Sequence, residues 1–166
     1  MFRAALFIAI VFSAVGMGLS LAHALELPGK RRLGRDAYFA VQTIYYPRFT
    51  IGGAFGEPLA IVAALLTVLL TTPGNPPFWL VLSGLVCLLF EHAVYWLLTH
   101  PVNKVWLQGQ NRGGAGATFF ATGGPSPTVQ RWTTLRDRWE FSHVARAVFA
   151  GLVFVFLVLA AVAPIP

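Results

Sequence analysis

Residues 51–99 read IGGAFGEPLAIVAALLTVLLTTPGNPPFWLVLSGLVCLLFEHAVYWLLT, and this stretch decides the fold. It contains two apolar runs, residues 51–72 and 78–99, each long enough to cross a bilayer as a helix, which takes about 20 residues. The break between them, Pro73-Gly74-Asn75-Pro76-Pro77, consists of residues that end helices and form turns. The two runs are therefore predicted to form a hairpin of membrane-spanning helices.

Two further apolar runs flank this hairpin, residues 4–25 and 141–164. Over the whole chain 57% of residues are hydrophobic and 11% are charged, which is less than half the charged share of a soluble domain. This composition excludes a soluble globular protein, a disordered chain and a nucleic-acid-binding domain. The sequence predicts an all-α fold, a single integral membrane four-helix bundle over residues 1–166 with the lipid bilayer as its partner.

The first run also admits a second interpretation. Ala22-His23-Ala24 after an apolar run resembles a signal-peptidase site. The basic part before it is only Arg3 and the amino terminus, and the run is longer than a usual signal core, so a retained span is favoured. Cys87 is the one cysteine, which excludes an internal disulfide and CxxC redox chemistry.

The basic residues predict the orientation of the bundle. Ten of the twelve lysines and arginines lie in the connections after the first and third spans, whereas Arg3 lies at the opposite end. The positive-inside rule places these connections in the cytoplasm and both termini outside, which is the periplasm if the membrane is a bacterial inner membrane. The ten are Lys30, Arg31, Arg32, Arg35, Arg48, Lys104, Arg112, Arg131, Arg136 and Arg138.

The two connections carry some structure of their own. Residues 36–46 have apolar and aromatic side chains near helical spacing, which predicts a short interfacial helix. Residues 109–125 are Gly-rich around Phe119 and Phe120, which predicts a flexible cytoplasmic connection. Ser126-Pro127 is a good helix start, so a helix is predicted to run from there into the fourth span.

Ionisable residues within spans are costly and therefore point to function. All four histidines and four of the six acids are predicted to lie in one leaflet, the cytoplasmic one. Soluble di-iron bundles use a similar set, one Glu from each of two helices and a Glu-x-x-His pair from each of the others. The sequence predicts a site for iron, manganese or zinc, with ligands drawn from His23, Glu26, Glu57, Glu91, His92, Glu140 and His143.

Structural roles compete with this metal hypothesis. Glu26 and Glu140 lie near the headgroups, where they can be solvated, and Glu57 precedes Pro58, where an acid complements a helix dipole. His100 precedes Pro101 and can simply end its helix. Arg138 and Arg146 can neutralise acids without a metal. Glu91-His92 resists these alternatives best, because a charged pair two turns deep needs a partner, a proton or a metal.

Two segments resemble a known family. They are Thr99-His100-Pro101-Val102-Asn103-Lys104-Val105-Trp106-Leu107 and Leu135-Arg136-Asp137-Arg138-Trp139-Glu140-Phe141-Ser142-His143-Val144-Ala145-Arg146. The first resembles the PVN signature after span three, and the second resembles the RW…H..R signature entering span four, of the anthrone-oxygenase-like family. This is a family of small four-span membrane proteins, catalogued as a domain of unknown function. Some fungal members are assigned the oxidation of anthrones to anthraquinones.

The resemblance implies roles for particular residues. Asn103, His143 and Arg146 would be catalytic, with Asn103 bonding a phenolic or quinoid oxygen, His143 acting as base or metal ligand, and Arg146 stabilising an enolate-like anion. Trp139 with Phe119 and Phe120 would contact the substrate. Structural alternatives stay open for Asn103 as a helix cap, Arg146 as a snorkelling cation and Trp139 as an interfacial aromatic.

Three functions follow for comparison. The first is a membrane oxidoreductase, an oxygenase acting on an aromatic or lipophilic small molecule at the cytoplasmic leaflet. The alternative is a non-enzymatic membrane protein that binds a metal or a lipophilic ligand or serves as an assembly partner, including in a homo-oligomer. The third, a transporter subunit with Glu91-His92 as proton relay, ranks last because the chain lacks repeat symmetry and outer-leaflet polar positions.

Overall fold

The protein is built from helices alone in the part that is described. The computed structural model describes residues 1–106 and 129–164, with the backbone alone for residues 45–47 and 129–131. Within these ranges no strand occurs, which confirms the all-α prediction. A π-helical turn, Tyr95–Thr99, connects the third helix to the fourth. The α-helices are α1 (Phe2–Lys30), α2 (Arg35–Leu69), α3 (Pro76–Val94), α4 (His100–Trp106) and α5 (Val129–Val162).

The helices form a four-membered bundle. α1 packs between α2 and α5, and α3 packs against α5 and, less closely, against α2. Four segments are long and apolar enough to cross a bilayer, Phe2–Lys30, Arg48–Leu69, Pro76–Trp106 and Trp132–Val162. The chain is therefore an integral membrane protein, as the composition predicts.

Side-chain size is distributed as expected for a bundle in lipid. The outer surface carries large apolar side chains such as Phe7, Phe55 and Leu97, whereas small residues such as Ala9 and Ala64 fill the interior. Helices in lipid gain little from hydrophobic burial, so small residues that allow close backbone approach drive their packing. Large residues toward lipid and small residues between the helices are therefore the distribution that packing in a bilayer favours.

The closest helix contact joins α1 and α2. Gly52 and Gly56 form a GxxxG pair on α2 that faces Phe12, Gly16 and Leu19 of α1. A Cβ atom added at Gly56 would lie 3.8 Å from the Phe12 carbonyl oxygen and 3.9 Å from the Gly16 amide nitrogen. The α1 backbone is therefore within van der Waals distance of a single added methyl group, and no larger side chain fits there.

The second helix is longer than predicted. Residues 36–46 do not form a separate interfacial helix but belong to the start of α2, which is continuous from Arg35 to Leu69. The reason lies in packing: Tyr38 in this segment is fully buried and contacts Trp106, Trp132 and Glu140, so it anchors the extension against α4 and α5. The segment predicted as an interfacial helix is thus held to the bundle by aromatic contacts.

The third span continues past Pro101 to Trp106, so the interpretation of His100 as a helix end is wrong. The Leu97 carbonyl would accept the amide of residue 101 in an α-helix, but proline has no N–H. Arg138 of α5 donates to this carbonyl instead, with Nη2 2.7 Å from the Leu97 oxygen. The π-helical turn and this contact therefore carry the helix through the proline.

The fourth span is continuous with the helix that precedes it. α5 extends from Val129 to Val162, which confirms the predicted run through Trp132 and Trp139 into the membrane. The predicted helix start at Ser126-Pro127 and the Gly-rich connection with Phe119 and Phe120 lie outside the described residues.

The α1–α2 contact yields a stability prediction. We expect Gly56→Leu to destabilise the protein by about 1–3 kcal/mol or more, because the new side chain meets the α1 backbone. Gly56→Ala should be tolerated, since its Cβ makes ordinary contacts. The matched control is Gly18→Leu on the exposed face of α1, where a Cβ meets nothing within 4 Å. Thermal unfolding in detergent measures all three, and equal melting of the two leucine variants would contradict the packing argument.

Candidate functional site

A cavity of about 120 Å³ lies inside the bundle and is lined by residues of all four spans; its wall is mainly apolar, with several buried polar side chains. Its walls combine basic and acidic side chains with the rings of Phe49, Tyr95 and Trp96. Of the residues singled out from the sequence, seven line this cavity: His23, Glu57, His92, Asn103, Trp139, His143 and Arg146. Glu26, Glu91 and Glu140 lie outside its lining but contact residues near it.

A buried ion-pair network links three helices beside the cavity. The Arg146 guanidinium of α5 pairs closely with Oε1 of Glu57 on α2, and its Nη2 lies 3.9 Å from Oε1 of Glu91 on α3. The Ser20 hydroxyl of α1 donates to the same Glu91 oxygen at 3.4 Å. Arg146 thus points into the bundle, and its charge is offset by Glu57, so it is not available as an uncompensated cation for a substrate anion.

The network continues to the surface of the bundle through His92. The Trp96 indole donates to His92 Nε2 at 2.9 Å, and His92 Nδ1 lies 3.4 Å from Glu57 Oε2. An indole nitrogen can only donate, so Nε2 of a neutral His92 is the acceptor and Nδ1 carries the proton. His92 therefore donates to Glu57, which receives a second partner besides Arg146.

The tautomer of His23 follows from its neighbour Lys30. The Lys30 ammonium forms an ion pair with Glu26 at 2.8 Å and lies 3.3 Å from His23 Nδ1. Because an ammonium can only donate, His23 Nδ1 accepts and the proton of the neutral ring is on Nε2. The side chain of Lys30 is only 4% exposed. This residue, which was counted among the basic residues that predict the membrane orientation, therefore also lies in the interior of the bundle.

His143 has the opposite tautomer. Its Nδ1 lies 2.9 Å from the Trp139 carbonyl oxygen, which can only accept, so Nδ1 is protonated and Nε2 of the neutral ring is an acceptor. Ser142 donates to the same carbonyl at 2.6 Å and lies 2.8 Å from the Thr99 hydroxyl, which is therefore the donor in that pair. These contacts fix the ring of His143 in one orientation.

The two imidazoles meet in the cavity. The ring centroids of His23 and His143 are 4.4 Å apart, and Trp139 lies against both, 5.3 Å from His23 and 3.9 Å from His143. The Trp139 indole donates to Asn103 Oδ1 at 2.9 Å, which orients the Asn103 amide. The site therefore offers a ring N–H on His23 and a ring lone pair on His143, beside an oriented amide.

Glu140 lies apart from this pair of rings. It is fully buried, so the interpretation of Glu140 as a solvated acid is wrong, and its Oε1 accepts from the Tyr38 hydroxyl at 2.7 Å. Burial and the adjacent Glu140 carboxylate raise the pKa of Tyr38 above its ordinary value. The protonated phenol is therefore favoured, which agrees with its role as the donor to Glu140.

The predicted metal ligands are distributed among separate partners. Glu26 pairs with Lys30, Glu57 with Arg146 and His92, and Glu140 with Tyr38. Over residues 1–106 and 129–164, no three His, Cys, Asp or Glu side chains are grouped so that they could hold a metal ion. The residues as arranged do not fit an iron, manganese or zinc ion. The metal site stays a prediction for elemental analysis, and no chemical step below passes through a metal.

The sequence interpretation missed several residues of the site. Ser20 and Gly16 share a helix face with His23, three and seven residues before it, so periodicity alone could have found them. Tyr95 was not singled out from the sequence, yet its ring lies 5.5 Å from the Arg146 guanidinium carbon. Phe49 packs on His23, with ring centroids 4.8 Å apart, and carries no sequence signal of its own.

Fold and site together define a class: an integral membrane four-helix bundle whose internal cavity has a mainly apolar wall with buried ionisable side chains. No family model matches the chain, and no curated protein or solved structure matches it either. The resemblance to the anthrone-oxygenase-like family therefore stays a prediction.

The ion-pair network gives a second stability prediction. We expect Arg146→Met to cost about 3–5 kcal/mol, because removing one partner of a buried pair leaves the Glu57 carboxylate uncompensated. Arg146→Met combined with Glu57→Gln should recover most of this loss. Arg3→Met at the exposed amino-terminal end is the matched control. A melting temperature for Arg146→Met equal to that of the control would contradict the network.

The histidine tautomers give a third prediction. In ¹⁵N-histidine-labelled protein, we expect nitrogen chemical shifts that place the proton on Nδ1 in His143 and His92 and on Nε2 in His23. Lys30→Met should release His23 from this tautomer and leave His143 unchanged. The same tautomer for His23 and His143 in the wild-type protein would contradict the geometry.

Proposed function

We propose that the protein is a membrane oxidoreductase, an oxygenase that converts a phenol-like aromatic molecule to a quinone in this cavity. The observation that carries the proposal is the pair of opposed histidine tautomers between aromatic walls. Such a pair suits a substrate that donates one hydrogen bond and accepts another. The resemblance of residues 99–107 and 135–146 to the anthrone-oxygenase-like family supports the same class of reaction.

Each side chain has a role in this proposal. His143 Nε2 accepts the proton of the substrate hydroxyl, because its Nδ1 is occupied by the Trp139 carbonyl. His23 Nε2–H and the Asn103 amide donate to the resulting anion, in a site where little water competes. Arg146 is a positioning residue, since its pairing with Glu57 ties α5 to α2 at the cavity wall.

Dioxygen is the oxidant, and the atoms balance without a further reductant. The phenolate loses electrons to O2, and one oxygen atom forms the new carbonyl at the ring carbon opposite the original hydroxyl. The hydrogen of that carbon and the hydroxyl proton leave with the second oxygen atom as water. His143 returns its proton in this last step and is ready for another cycle.

The side of the membrane is also part of the proposal. Ten basic residues in the two longer connections support a cytoplasmic location for that end of the bundle, with both termini on the opposite face of a bacterial inner membrane. The histidines of the site lie toward the same end. Substrate would then react in the cytoplasmic leaflet.

Oxygen consumption with simple alkylphenols tests the proposal in protein reconstituted in nanodiscs. We expect His143→Gln to lower the rate by about 10²-fold or more, the usual range for loss of a general base. His100→Gln is the matched control, because His100 does not line the cavity. Ligand binding without oxygen consumption would overturn the proposal and favour the alternative, a non-enzymatic protein that binds a lipophilic ligand.

A further inference from the structure

The cavity has its opening inside the membrane. Among the residues that line it, the exposed ones are Ala54 and Pro58 of α2 and Trp96 of the π-helical turn. All three belong to membrane-spanning segments. Ala54 and Pro58 lie six and ten residues from Arg48, where the second span begins, which is about 9 and 15 Å along the helix axis. In a hydrocarbon layer about 30 Å thick, this mouth faces lipid tails.

The interior is about the size of a single aromatic ring. Its volume of about 120 Å³ is close to the roughly 150 Å³ of an engineered apolar cavity that binds benzene. The walls fit such a ring, because Phe49, Tyr95 and Trp139 supply aromatic faces and the two histidines supply a donor and an acceptor.

An apolar stripe leads away from the mouth. Pro58, Val62, Leu65 and Leu69 follow one another on α2 at spacings of four, three and four residues, which places them on one helix face. All four are exposed, Leu69 to 72%. The stripe covers about 16 Å from Pro58 to Leu69, the length of an extended alkyl chain of a dozen carbons. A tail attached to a ring in the cavity would lie along it in the lipid.

We propose that the ligand of this cavity is an amphiphile dissolved in the bilayer, with a single oxygen-substituted aromatic ring as its head and an alkyl tail. The ring passes between α2 and the π-helical turn into the cavity, and the tail remains in the membrane along α2. This inference names the substrate class of the site in the proposed function and rests on that function only for turnover. Binding of an unreactive ring is independent of it.

The test uses a 1,4-benzoquinone with an octadecyl chain, the product form of the ring in the proposed function, whose carbonyl oxygens accept from His23 Nε2–H and the Asn103 amide. This quinone has a negligible concentration in water, and the protein is in nanodiscs. A quinone quenches nearby tryptophans, and Trp96 and Trp139 line the cavity. We expect saturable quenching at low mole fractions of the quinone in lipid, and at least tenfold weaker binding for Gly53→Leu. Gly53 lines the cavity, and a Cβ there meets nothing within 4 Å, so a side chain added at this position starts in open space at the cavity wall.

Two controls keep the result interpretable. Gly18→Leu adds the same side chain to a lipid-facing position and should leave quenching unchanged. Ala54→Phe narrows the mouth itself and should weaken binding if Gly53→Leu proves unstable. Methylbenzoquinone, which is soluble in water, is the second probe.

Each outcome decides the matter. Saturable quenching by the tailed quinone that is lost in Gly53→Leu supports the inference. Quenching by methylbenzoquinone alone would overturn it, because the cavity would then open to water, and unsaturable quenching that is equal in all variants would overturn it too. Saturable binding together with a failure to consume oxygen would refute the proposed reaction and leave the assigned ligand in place.

Discussion

The pairing of Arg146 with Glu57 is the constraint on which the rest of the site depends. A guanidinium inside a membrane bundle is stable only when carboxylates compensate it, and here the nearest ones come from α2 and α3. Ser20 adds α1 to the same network. One cation therefore fixes the rotation of all four spans about their axes, and this rotation decides which other side chains face the cavity.

Close packing on one side of the bundle explains the opening on another. Gly56 brings α1 and α2 together to van der Waals distance, so no space remains between these helices at that level. α2 and α3 pack less closely, and Trp96 of the π-helical turn and Pro58 of α2 both line the cavity. The Arg138 contact helps to carry the third span past Pro101, so the π-helical turn lies within a continuous span rather than in a loop.

The spans could be predicted because apolar length is a property of the sequence alone, and the common depth of the histidines follows from counting residues along each span. The side-chain contacts between the spans could not be predicted, since they depend on how each helix is rotated about its axis. His23 contacts His143, and Glu140 contacts Tyr38 across 102 residues of sequence. No local sequence pattern predicts either contact. Lys30 has the same limitation, because a basic residue at the end of a span has the same sequence signal whether it faces water or the bundle.

The GxxxG pair at Gly52 and Gly56 identifies the face of α2 that packs on α1. This pattern is present in the sequence, but hydropathy alone does not reveal it. That face, once known, also orients Gly53 and Glu57 toward the cavity, because they lie next to the glycines on α2. The small residues and the polar residues of α2, taken together, therefore indicate how the helix is rotated, which neither pattern indicates alone.

The distribution of partners also bears on the chemistry. A metal needs several ligands turned toward one point, whereas here each of the four acids has its own donor: Lys30 for Glu26, Arg146 for Glu57, Ser20 for Glu91 and Tyr38 for Glu140. Moving these acids to a common ion would leave buried cations and a buried phenol without acceptors, at a cost of several kcal/mol for the charged groups. His23 and His143, in contrast, are held by groups that fix a tautomer and leave one nitrogen of each ring uncommitted in those contacts.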